Sequence, residues 1–129
     1  MGIQNWSNDT LLVDLPDEPD LQEELEEVAR LVRDRGACDV VMDFSAVTLL
    51  NSTCLARLLQ LRQQLLDRGR RLVLCNISRL IHGILSVTGL TRVFEIMADR
   101  SDALAAVALL TDRLPSGPGA KITPEWFWP

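Results

Sequence analysis

Apolar and polar positions follow one another along the chain with two different periods, one typical of strands and one typical of helices. Short apolar-rich runs that suit strands lie at residues 2–6, 10–15, 39–44, 70–75 and 93–97. Between them, apolar residues recur every three or four positions, which predicts helices over 20–36, 52–67, 78–89 and 101–110. Strands that alternate with helices indicate parallel pairing with right-handed crossovers. We therefore expect an α/β fold: a mixed β-sheet of about five strands with about four α-helices packed on it.

The two central helices carry apolar residues mainly on one side, and this pattern predicts which side chains face the core. For the helix over 52–67 they are Leu55, Leu58, Leu59, Leu65 and Leu66. For the helix over 78–89 they are Leu80, Ile81, Ile84 and Leu85. The outward side of the helix over 52–67 offers three polar side chains to a partner: Arg57, Gln60 and Gln64.

The composition changes after residue 111, and this change divides the chain. The sequence Pro-Ser-Gly-Pro-Gly over 115–119 suits neither helix nor strand, so we assign residues 1–111 to one domain and 112–129 to a linker and tail. The tail contains Trp126-Phe127-Trp128. Large apolar rings of this kind are usually buried and not left in water. We expect these rings to dock on their own domain or on a second copy; a partner-binding or membrane-interface anchor is the alternative.

The net charge of −5 conceals an uneven distribution of charged residues. Ten acids and three arginines precede Gly36, whereas residues 51–92 contain seven arginines and a single acid, Asp67. One interpretation is two solvated faces of opposite sign, and the other is a dipolar surface that steers a protein partner. Nucleic-acid binding is disfavoured, because the chain is acidic and no aromatic residues interleave with the arginines.

Several functional classes find no support in the sequence. No signal peptide and no segment able to span a bilayer is visible, so we expect a cytoplasmic protein. The three cysteines, Cys38, Cys54 and Cys75, form no Cys-x-x-Cys pair, and there is one histidine, which argues against a zinc site. We expect the thiols to be reduced and mostly buried, and we expect no metal and no cofactor.

One segment stands out as a candidate site: residues 43–55, where a buried strand leads through a short loop into a leucine-rich helix. Ser52 and Thr53 open that helix. In parallel α/β sheets, binding sites gather beyond the carboxyl ends of the strands, which favours a functional role for these hydroxyls. Asn, Ser and Thr are also the preferred helix caps, so capping alone would account for the pattern.

The same segment resembles the signature of STAS domains, the family of the bacterial anti-sigma factor antagonists. The family pattern runs Asp-Leu-Ser, five residues, then Asp-Ser-Ser/Thr-Gly-Leu. Here it reads Asp-Phe-Ser over 43–45, five residues, then Asn-Ser-Thr-Cys-Leu over 51–55. The similarity extends through the buried strand at 70–75, the Gly-Leu at 89–90 and Phe94, and loosely includes Glu18 and Asp20. It covers roughly residues 3–110.

The resemblance implies a mechanism. In the antagonists, a serine kinase that also acts as an anti-sigma factor binds the unmodified domain and phosphorylates the serine that matches Ser52; Thr53 is the alternative acceptor. The implied partner is therefore a kinase of this type, with a homodimer as a further option. The partner-contact surface that we expect comprises Glu18, Asp20, Asn51, Ser52, Thr53, Arg57, Gln60 and Gln64.

Two positions depart from the family pattern and keep other interpretations open. Asn51 stands where the antagonists have aspartate, and Cys54 replaces a glycine. A STAS scaffold that is not phosphorylated, or an accessory subunit of a lipid-transport or stress-signalling complex, is the alternative function. An enzyme is disfavoured, because the chain has no Gly-rich phosphate loop and no nucleophile elbow. The one feature that favours catalysis is Cys54, since the start of a helix can lower a thiol pKa.

Overall fold

The structure is a computed structural model that describes residues 2–7, 9–35 and 38–113, with side chains through residue 108. Its five strands form one sheet in the order of the chain: β1 (Gly2–Ser7), β2 (Thr10–Asp14), β3 (Asp39–Asp43), β4 (Leu72–Cys75) and β5 (Glu95–Met97). β1 pairs antiparallel with β2, and all other pairs are parallel. The predicted mixed sheet is confirmed.

Four α-helices connect or follow the strands, as predicted: α1 (Asp20–Arg35), α2 (Ser52–Asp67), α3 (Arg79–Val87) and α4 (Arg100–Arg113). A short 3-10 turn over Leu90–Arg92 precedes β5. α2 has the predicted bounds, whereas β4 and β5 each begin two residues later than expected and α4 ends three residues later. The tail with its three aromatic residues lies outside the described residues.

The sheet separates two apolar clusters of unequal size. Val40 and Met42 of β3 face the larger cluster, to which α1, α2 and α3 contribute. Val41, between them in sequence, faces the smaller cluster, which is covered by Ala103, Leu104 and Val107 of α4. Alternation along a strand thus supplies both faces of the sheet with apolar side chains, as a largely parallel sheet covered on both sides requires.

Two leucines predicted to face the core are instead exposed. Leu66 is 45% exposed and Leu80 is 58% exposed. In α2 the buried residues are Cys54, Leu58, Leu61 and Leu65, spaced by four, three and four positions. Leu66 follows Leu65 by one position and is therefore turned about 100° away from this face. The same geometry separates Leu80 from the buried Ile81 in α3.

Candidate functional site

The start of α2 is formed by a side-chain cap and an exposed hydroxyl. Asn51 is the N-cap, with extended backbone (φ −100°, ψ 176°), and its Oδ1 accepts a hydrogen bond of 2.9 Å from the Cys54 amide. Ser52 and Thr53, the first two helical residues, are exposed. Within the described part of the chain, no acceptor pairs with their backbone N–H groups, which helices typically leave unpaired at this end.

The loop that leads to Ser52 is held by apolar residues. Phe44, Val47 and Leu50 between β3 and α2 are all buried in the larger cluster. Leu49 between the last two is 52% exposed. Three anchors within seven residues leave the loop little freedom, so the position of Ser52 is determined by the core rather than by the loop itself.

The loop between β2 and α1, residues 15–19, lies against this segment and is called the acidic loop below. Asp17 accepts hydrogen bonds from Thr48, at 3.3 Å from the amide nitrogen and 2.6 Å from Oγ1. These bonds hold the pKa of the Asp17 carboxyl below its usual value. Next along the loop, Glu18 Oε2 lies 3.2 Å from Sγ of Cys54. The exposed Glu18 carboxylate is thus brought to the first turn of α2.

The environment of Cys54 overturns the idea of an activated thiol. The side chain is fully buried. Burial, and then the hydrogen bond to Glu18, raise the pKa of Cys54 to about 11, and the Asn51 backbone only partly opposes them. A thiol that stays protonated at neutral pH is a poor nucleophile, so the feature that favoured catalysis is absent at this residue.

The other predicted contact residues occupy two places. Asp20, at the first position of α1, is exposed. Arg57, Gln60 and Gln64 line a groove between α1 and α2. Arg57 does not point freely outward, because its guanidinium is 2.8 Å from Glu26 and donates to Gln22 at 3.0 Å, both on α1. Arg57 therefore links α2 to α1.

A polar cluster that sequence reasoning missed lies where β2, β3 and β4 end. The buried Asp43 carboxylate accepts bonds from the Ser45 amide (2.8 Å) and hydroxyl (2.5 Å), from Asn76 Nδ2 (3.1 Å) and from Arg100 (2.9 and 3.1 Å). Arg100 also pairs with Asp14. The Asp-Phe-Ser motif marked Asp43 and Ser45 without suggesting a role for either, and no local signal pointed to Arg100.

This cluster fixes the geometry of the strand ends. Burial alone would raise the pKa of Asp43, but the hydrogen bonds from Ser45, Arg100 and Asn76 outweigh it and hold that pKa below its usual value. Asn76 reaches Asp43 from a left-handed backbone conformation (φ 56°), which asparagine tolerates better than most residues. Asp43 therefore ties the first residues of the β3–α2 loop to β4 and to the start of α4.

The described residues contain neither a cluster of metal-ligating side chains nor a helix suited to a membrane span. No group of three or more His, Cys, Asp or Glu side chains in residues 2–7, 9–35 and 38–113 is arranged to hold a metal ion. In the same part of the chain, no helix combines the length and the apolar character that a membrane span needs.

Comparisons with known proteins extend these observations. Solved structures share the fold, among them these three. SpoIIAA, a Bacillus cell fate determinant in its phosphorylated form, matches with a TM-score of 0.63 and 18% identity over 82% of this chain and 97% of its own. A serine-to-glutamate variant of RsbS from Moorella thermoacetica has a TM-score of 0.71 and 19% identity, over 86% of this chain and 97% of its own. A sulfate transporter family protein from Wolinella succinogenes has a TM-score of 0.66 and 17% identity, over 81% of this chain and 87% of its own.

The family follows from the sequence match. No curated protein matches the chain. The profile of the STAS domain matches residues 14–103, more than two thirds of the chain. This range contains all the predicted site residues, the acidic loop and the Asp43 cluster. The chain belongs to the STAS domain family.

Proposed function

We propose that this protein is a phosphorylation-controlled interaction switch of the anti-sigma factor antagonist type. Unmodified, it binds an anti-sigma factor that is also a serine kinase; phosphorylated on Ser52, it no longer binds. The observation that carries the proposal is the exposed Ser52 hydroxyl at the start of α2, next to the acidic loop. The switch operates in the cytoplasm, where ATP is available, and the chain itself catalyses no reaction.

The modification is a phosphoryl transfer performed by the kinase. The Ser52 oxygen attacks the γ-phosphorus of ATP, the bond to the β,γ-bridging oxygen breaks, ADP leaves, and the hydroxyl proton passes to a base of the kinase. Exposure of Ser52 supports this step, because the attacking oxygen must reach a phosphate held by another protein. The buried residues Phe44, Val47 and Leu50 anchor the loop before Ser52 and so hold the start of α2 at the surface.

The phosphate changes the surface more than the fold. It adds about −1.5 to −2 charges at pH 7. The unpaired Ser52 and Thr53 amides and the positive end of the α2 dipole can hold this charge, and the first turn of α2 contains no acid to oppose it. At a protein contact, the same charge joins those of Glu18 and Asp20 and must be desolvated. Binding is lost while the domain stays folded.

Two of the structures with the same fold support the proposal. SpoIIAA was solved in a phosphorylated form, and RsbS as a variant in which glutamate replaces a serine. Both are similar to this chain in fold. The match to the sulfate transporter family protein, together with Asn51 in place of the family's aspartate, favours the second candidate function: a STAS scaffold or accessory subunit whose α2 binds without modification.

Phosphate mapping tests the proposal directly. The purified protein is incubated with ATP and each kinase-type anti-sigma factor encoded near its gene, and the phosphate is located by mass spectrometry. We expect phosphate on Ser52, none in a Ser52→Ala variant, and unchanged labelling in a Ser86→Ala variant, which removes an exposed serine of α3. A stable complex with neither Ser52 nor Thr53 modified would favour the scaffold.

A further inference from the structure

We infer that Thr48 and Cys54 are positioning residues that hold the acidic loop against the start of α2, so that the Glu18 carboxylate is already in place when a partner presents a basic group. The part that concerns the partner rests on the proposed function. The part that concerns the loop rests on contacts within this chain.

The first contact is between Thr48 and Asp17, 31 positions apart in sequence. Thr48 donates its hydroxyl to one carboxylate oxygen at 2.6 Å and its amide to the other at 3.3 Å. Two donors from one residue restrain both the position and the orientation of the carboxylate. The depressed pKa of Asp17 is consistent with this arrangement, since both bonds favour the ionised form.

The second contact is between Cys54 and Glu18, 36 positions apart. The thiol is buried and protonated at neutral pH, so it is the donor to the Glu18 carboxylate at 3.2 Å. Glu18 itself is exposed. One side of this carboxylate is therefore bonded to the domain, while its remaining acceptor positions face solvent, where a partner's arginine or lysine can bind them.

The two contacts act on neighbouring residues of one short loop. An exposed glutamate normally loses side-chain entropy when it is fixed at an interface. Bonds that fix Glu18 beforehand reduce the loss on binding. A glycine at position 54, as in the family pattern, has no side chain to make this contact. Cys54 thus gives this chain a restraint that the family pattern lacks.

Alkylation of Cys54 tests the loop contact without any partner. The intact protein is treated with iodoacetamide at pH 8, and the three cysteines are quantified by peptide mass spectrometry. We expect Glu18→Gln to raise the Cys54 rate at least threefold, because the thiol pKa falls and the loop loosens. Cys38 and Cys75, both buried, serve as internal references, and Glu23→Gln, an exposed acid of α1, is the matched control.

Thr48→Val, which keeps the shape of threonine and removes its hydroxyl, should raise the Cys54 rate at least twofold in the same assay. An unchanged Cys54 rate in both variants would overturn the inference. So would an equal rise at all three cysteines, because that result would indicate general destabilisation of the domain instead of release of the loop.

Binding tests the second part, with the kinase identified by phosphate mapping as the probe. Cys54→Ala should weaken binding about tenfold, whereas Cys54→Ser, which restores a donor, should stay within about twofold of the original protein. Melting temperatures of both variants separate this effect from stability. Equal affinities for the Ala and Ser variants would overturn the role of the contact in binding. If no kinase binds the unaltered protein, the proposed function fails and the alkylation result still decides the role of the loop contacts.

Discussion

A single residue, Asp43, connects four parts of the molecule that are distant in sequence. Its carboxylate accepts hydrogen bonds from the following loop, from the residue after β4 and from the start of α4. Arg100 lies 57 positions away and brings Asp14 of β2 into the same cluster. The end of β3, and with it the loop that presents Ser52, is therefore held from several directions.

Replacement of this carboxylate by an amide should lower stability at neutral pH. Asp43→Asn leaves partly buried donors with a weaker acceptor, at an expected cost of about 1–3 kcal/mol. The folded-state pKa of Asp43 is depressed, so the ionised carboxylate stabilises the fold above the unfolded value of about 3.9. This contribution disappears as the pH falls through the depressed pKa of Asp43 in the folded protein.

Urea unfolding of Asp43→Asn and the original protein at pH 7, 5 and below 3.5 measures this effect. The difference in unfolding free energy should be largest at pH 7 and should narrow under acid. Asp34→Asn, at an exposed position near the end of α1, is the control and should change stability by less than about 0.5 kcal/mol. A difference that is constant with pH would show that the charge of Asp43 has no part in it.

Residues close in sequence were the ones whose roles could be predicted. The Asn51 cap follows from local helix chemistry, because asparagine directly before a leucine-rich helix is a preferred cap, and this cap is observed. The Arg100–Asp43 pair and the Cys54–Glu18 contact join residues 57 and 36 positions apart, and no periodic pattern encodes such contacts. The helix-start argument for a reactive Cys54 was wrong because it ignored burial and the nearby carboxylate.

At the scale of elements, helix periodicity predicted which helices exist better than which leucines they bury. All four helices formed, but Leu66 and Leu80 are exposed and Leu61, which was not predicted, is buried. Leu65 with Leu66, and Leu80 with Ile81, are adjacent apolar pairs, and only one member of each can face the sheet. The spacing of apolar residues identifies such a helix. Which residue of an adjacent apolar pair is buried depends on how the helix is rotated against its neighbours.

The adjacent pair in α3 provides a matched comparison. Ile81→Ala removes a fully buried side chain and should cost about 2–5 kcal/mol, because a cavity remains in the larger cluster. Leu80→Ala, one position away and mostly in solvent, should cost less than about 0.5 kcal/mol. Thermal or urea unfolding distinguishes the two outcomes. Equal losses would mean that the exposed face of α3 is covered in solution.

At the scale of the whole molecule, several arginines of the basic segment form ion pairs with acidic residues of the same chain. Arg57 of α2 binds Glu26 and Gln22 of α1. Arg71 binds Glu95 in β5 through contacts as short as 2.6 Å, and Arg70 approaches Asp39 at 3.4 Å. These basic side chains act as links between elements. The acidic side, in contrast, keeps Glu18, Asp20 and the outer face of α1 exposed.

The helices that cover the two faces of the sheet should differ in how readily they unfold locally. α2 packs beside α1 on the larger cluster, whereas among the described side chains only α4 contributes helical residues, Ala103, Leu104 and Val107, to the smaller cluster. Hydrogen exchange measured by mass spectrometry should therefore show peptides from α4 exchanging at least about tenfold faster than those from α2. Similar protection of the two helices would contradict this difference.

The cover of the smaller cluster by α4 has a practical consequence. If α4 detaches, the side of the sheet that meets water carries Leu12, Val41 and Val73, which form an apolar strip across three adjacent parallel strands. Such a strip can associate with the same strip of another molecule. Resistance to precipitation during storage should therefore depend on how firmly the last helix stays in place, and substitutions that strengthen its packing are the natural means of improving it.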